Sequence, residues 1–84
     1  MNGINGIEKL REQIDAVDTE IVKLLSRRVE IVLKIRDCKA ENNLPVEDLF
    51  REEEIISKLN HGDLSDSFLW DIYRVIFDYS KSVQ

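Results

Sequence analysis

Arg28 stands where a hydrophobic side chain is due. Ile7, Ile14, Ile21 and Ile35 recur every seventh residue, and the remaining place in that series holds a guanidinium. A guanidinium turned toward an apolar seam is costly unless a counter-charge meets it. Lys39 follows eleven residues later, close to three helical turns and about 16 Å along a helix, so the two long cations face the same way and can converge on one small anion. Glu52 lies three and four residues before Ile55 and Ile56, on a face that is otherwise apolar. Ser80 follows Ile76 by four residues and precedes Gln84 by four, a polar pair prolonging the stripe of Leu69, Ile72 and Ile76.

Each of these residues, taken singly, has a simpler reading. Arg28 and Glu52 can form a structural ion pair, or Arg28 can fix a helical register. Lys39 complements a helix C-terminus, and Glu52 suits a helix first turn. Ser80 can be a small packing residue, and Gln84 a fraying end. Taken together, they turn polar groups inward from several elements, with cations in excess among the long side chains. Structural ion pairs usually balance, so surplus positive charge inside an acidic chain points to a site for a small polycarboxylate or phosphate.

Other chemistries find little support. No nucleophile–base pair, carboxylate dyad or Gly-rich phosphate loop is evident. His61 lies in a turn with no second His and no cysteine nearby, so no metal is expected, nor any other cofactor. Trp70, Tyr73 and Tyr79, at helical spacing, suit a core or an interface, and Cys38 on the seam suits a small buried hydrophobe. Lys and Arg number 12 against 17 Asp and Glu, a net charge of -5, which argues against nucleic-acid binding through clustered cations. The opening MNGINGIEKL lacks a basic stretch followed by an apolar one, and no apolar run approaches the roughly 18 residues that span a membrane. A cytoplasmic protein without membrane contact is expected.

These side chains need elements to hold them. Ile7, Leu10, Ile14, Val17, Ile21, Leu24, Ile31, Ile35 and Cys38 recur in steps of three, four or seven, with no Gly or Pro from 7 to 44. Asn42-Asn43 and then Pro45 supply the stop, an Asn being suited to a left-handed cap. The pattern predicts a first helix from about Asn5 to Glu41. A second begins with Asp48 as N-cap, carries Glu52, Glu53 and Glu54 early, and ends near "NHG", with Gly62 as the left-handed residue. A third starts at Ser65 or Asp66 and persists to the C-terminus. The fold class is all-α, one domain over residues 1–84.

A helix from 5 to 41 is about 55 Å long, whereas a globule of 84 residues is only about 30 Å across. The overhanging apolar residues need a cover, most simply a second copy in an intertwined two-fold homodimer. With a single cysteine there is no internal disulfide to add support.

The segments "LREQIDAVDTEIVKLLSRRVEIV", Lys39, "PVEDLFREEE" and "SKSVQ" together resemble the all-helical class of chorismate mutases. The resemblance covers nearly the whole chain. It implies conversion of chorismate to prephenate by an intramolecular Claisen rearrangement, in a homodimer with two equivalent pockets. On the same basis, Arg28 and Arg11 of the partner subunit bind the substrate's carboxylates, supported by Arg51 and Ser80. Lys39 and Gln84 donate to the ether oxygen, and Glu52 with the backbone at Asp48 holds the ring hydroxyl.

One part of this can be checked from spacing. Arg11 and Arg28 are seventeen residues apart, about 25 Å along a helix, too far to grip one small ligand. Only a second chain can bring Arg11 to Arg28. Two alternatives stay open: an isochorismate pyruvate lyase, which resembles the class in fold and cations, and a non-catalytic helical dimerisation module with Arg28 and Glu52 paired. The retained Asp48 and Glu52 favour the mutase.

Overall fold

The computed structural model describes residues 3–46, 48–59 and 62–84. Three helices follow one another: α1 (Gly3–Glu41), α2 (Leu49–Lys58) and α3 (Asp66–Ser82). By its contacts the chain divides into two units, Met1–Ile31 and Val32–Gln84.

The first unit is the N-terminal part of α1. Ile7, Leu10, Ile14, Val17, Ile21 and Leu24 line it at helical spacing and are 48–61% exposed. Such a stripe is hydrophobic surface awaiting a cover. Around it are local contacts: the Thr19 hydroxyl donates to the Asp15 carbonyl at 2.9 Å, and Lys23 meets Glu20 at 3.8 Å, both exposed.

The second unit holds the end of α1 together with α2 and α3. Asn43 sits at φ 56°, and the chain folds back as the pattern predicted. Leu44 N–H donates to the Lys39 carbonyl at 2.8 Å and Asn43 N–H to that of Ala40 at 3.4 Å. These are the two bonds of a Schellman cap, with Asn in the left-handed position. The Asn42 side chain adds a bond to the Cys38 carbonyl at 2.7 Å. Lys39 is thereby fixed in the last turn.

α2 starts as expected. Asp48 Oδ1 accepts the Arg51 N–H at 3.0 Å, and the Asp48 carbonyl accepts that of Glu52 at 3.2 Å. Its end differs from the expectation. The helix stops at Lys58, and Leu59 is already extended at φ -75°, ψ 124°. Gly62 is left-handed, at φ +57°, but it serves the turn into α3, several residues past the helix. Asn60 and His61 lie outside the described residues. α3 opens on Ser65, whose Oγ accepts the Phe68 N–H at 3.2 Å. It ends at Ser82 and does not run on to Gln84.

α2 packs on α3, and Ile55 and Ile56 of α2 and the following Leu59 are half-buried. Among the described residues Val32, Leu69, Phe77 and Ser80 are buried, with the Tyr73 and Phe77 rings 5.5 Å apart and tilted by 56°. The inward face of α3 follows the expected stripe at Leu69, Ile76 and Ser80, and at Gln84 just past its end, and adds Phe77, whereas Ile72 is 39% exposed. Cys38, read from its seam position as buried, is exposed.

Candidate active site

The cap at the end of α1 sets the first half of the site. Lys39 Nζ donates to the Val46 carbonyl at 2.8 Å and to Gln84 Oε1 at 3.5 Å. One ammonium thus ties the α1–α2 connection to the far end of the chain. The Gln84 amide turns back on the end of α3, with Nε2 donating to the Ser80 carbonyl at 3.1 Å. Ser80 is buried, and its hydroxyl donates to the Ile76 carbonyl at 2.8 Å. That bond satisfies a group that would otherwise be costly to bury.

Glu52 occupies the first turn of α2, where the helix dipole favours an anion. Its Oε2 lies 3.3 Å from Lys81 Nζ, with the two side chains 20% and 30% exposed. Arg51 projects from the same turn but is more exposed and paired with Glu54 at 2.6 Å. Asp48 spends its side chain on capping. Of the residues singled out in the sequence, the second unit joins Lys39 to Gln84, and Gln84 to Ser80, by direct hydrogen bonds. Arg11 and Arg28 belong to the first unit. Arg11 is exposed and Arg28 half-buried.

Two groups in these contacts carry little signal in the sequence. Lys81 resembles an ordinary cation in a helix last turn, and only its place four residues after Phe77 hints that it faces inward. The Val46 carbonyl carries no side-chain signal at all, since its role comes from the path of the backbone after Pro45.

The fold is all-helical with a long first helix, and its polar contacts join the end of α1 to the residues after α3 through Lys39 and Gln84, and the start of α2 to α3 through Glu52 and Lys81. Residues 10–84 match the family described as chorismate mutase type II, and the chain belongs to that family. The structure of a chorismate mutase from Thermus thermophilus is similar, with a TM-score of 0.83 and 36% identity over 88% of this chain and 96% of that one. The bifunctional chorismate mutase/prephenate dehydratase of Aquifex aeolicus is 38% identical over 93% of this chain and 24% of its own length. The chorismate mutase of Methanocaldococcus jannaschii is 21% identical, over 96% of this chain and 86% of its own. The chain spans under a quarter of the length of the bifunctional relatives it matches.

Proposed function

We propose that residues 1–84 act as one chorismate mutase domain, converting chorismate to prephenate within a homodimer in the cytoplasm. The observation that carries this reading is the Lys39–Gln84 contact, which joins two polar side chains from distant parts of the chain beside the buried Ser80. Family membership supplies the reaction.

A pericyclic rearrangement needs no nucleophile and no proton transfer. It needs a flexible dianion held in its compact conformer, and donors placed where charge builds on the ether oxygen as the C–O bond breaks. An ammonium has three N–H donors. Two of those on Lys39 go to Val46 and Gln84, and we assign the third to the ether oxygen. The Gln84 amide has a second N–H beyond the one given to Ser80, and it takes the same target. Arg28 and Arg11 of the partner subunit hold the two carboxylates, with Arg51 and Ser80 in support. Glu52 and the backbone at Asp48 receive the ring hydroxyl.

The exposed stripe of the first unit supports the dimer, because a second copy of the same helix is its simplest cover. The seventeen-residue separation of Arg11 and Arg28 on α1 supports a shared pocket. Incubation with chorismate, followed by loss of its absorbance, tests the function, and isochorismate run in parallel separates mutase from lyase. A protein that leaves both substrates untouched is a dimerisation module instead.

A further inference from the structure

Glu52 poses a problem in a site for a doubly negative substrate. A carboxylate there is needed to accept a hydroxyl, yet its charge repels the ligand it serves. Lys81 answers both demands. Its ammonium lies 3.3 Å from Glu52 Oε2, in a pair that bridges α2 and α3, unlike Arg51–Glu54, which stays within one helix. Asp78 lies 3.9 Å from the same ammonium and is 71% exposed, a weaker partner. The Lys81 backbone is engaged as well, its carbonyl accepting the Gln84 N–H at 3.2 Å. Lys81 thus touches Glu52 through its side chain and the Gln84 backbone through its own.

We propose that Lys81 is a positioning residue of the active site: by binding Oε2 it cancels the charge of Glu52 and leaves Oε1 aimed at the ring hydroxyl. This rests on the assignment of Glu52 to that hydroxyl. The hydroxyl does not react, so its bond is the same in the ground and transition states, and loss of Lys81 falls on KM more than on kcat.

The test is steady-state kinetics with chorismate on Lys81→Met, Lys81→Gln, Lys81→Arg, Glu52→Gln and Glu52→Ala, and on the double variant Lys81→Met/Glu52→Gln. Circular dichroism and sedimentation check each fold, and Lys81→Gln replaces Lys81→Met should the latter disturb α3. In Lys81→Met, KM rises about fivefold, between the small effect of breaking a surface pair and the large one of breaking a buried pair. Lys81→Arg recovers most of that loss. In the Glu52→Gln background, where no anion needs cancelling, Lys81→Met adds no further rise. An unchanged KM in Lys81→Met alongside an impaired Glu52→Ala, which keeps no acceptor for the hydroxyl, overturns the inference alone, as does an equal rise in the wild-type and Glu52→Gln backgrounds. A Glu52→Ala variant indistinguishable from wild type overturns the site assignment itself, and the inference with it.

Discussion

Replacing Lys39 by alanine removes one ammonium and two hydrogen bonds, and the structure separates what that does to stability from what it does to rate. The bond to the Val46 carbonyl is exposed, so its loss costs about 1 kcal/mol. The contact to Gln84 at 3.5 Å is at the outer limit of a hydrogen bond and adds less. The Schellman cap is made by backbone and Asn groups and survives the substitution. On the rate side, a preorganised donor aimed at developing charge is worth about 3 kcal/mol or more, a fall in kcat of at least two orders of magnitude. The two effects differ enough to be told apart. Chorismate consumption followed by absorbance gives kcat, while thermal melts and sedimentation report fold and assembly. We expect a folded variant with its Tm lowered by a few degrees and its turnover nearly abolished. A kcat within about threefold of wild type, in a variant of unchanged assembly, would falsify the role of Lys39 and the mechanism built on it.

Mixing Arg11→Ala chains with Arg28→Ala chains should give heterodimers with one intact pocket each, and activity should return; well-formed heterodimers that stay inactive contradict the shared site. Ile14→Asp places a charge in the middle of the exposed stripe of the first unit and should shift sedimentation toward the monomer and abolish activity; an active, unchanged assembly means that this face is not the interface. Asn43→Gly relieves a left-handed φ of 56° and should leave stability equal or slightly higher, whereas Asn43→Val should cost about 1 kcal/mol or more, read from denaturant midpoints. Asp48→Ala removes the cap of α2 and should lower stability by about 1 kcal/mol.

What the sequence revealed was mostly local. Asn43 and Asp48 are legible as helix punctuation because each bonds its own neighbourhood, and both cap as expected; the start of α3 falls at Asp66, with Ser65 as its cap. The end of α2 was misread for the complementary reason. Gly62 prefers a left-handed turn and takes one, but nothing in its preference says that the helix above it has already stopped. At that point Leu59 N–H reaches back to the Ile56 carbonyl at 3.2 Å, a tightened last turn, and the extended Leu59 leads the chain off the helix.

Tertiary pairings were the harder part. The polar stripe identified Glu52, Ser80 and Gln84, yet neither the Lys81 partner of Glu52 nor the Val46 carbonyl beneath Lys39 could be foreseen. Both depend on how α2, α3 and the turn after α1 meet in space. The exposure of Cys38 makes the same point: a seam position guarantees burial only where a neighbouring element reaches it.

The uncovered stripe on α1 ties catalysis to abundance. On the dimer reading, the apparent stability of the folded state changes by about 1.4 kcal/mol for every tenfold change in concentration, so specific activity falls when the enzyme is diluted past its dissociation constant. A cell that makes little of this protein would lose rate per molecule as well as molecules.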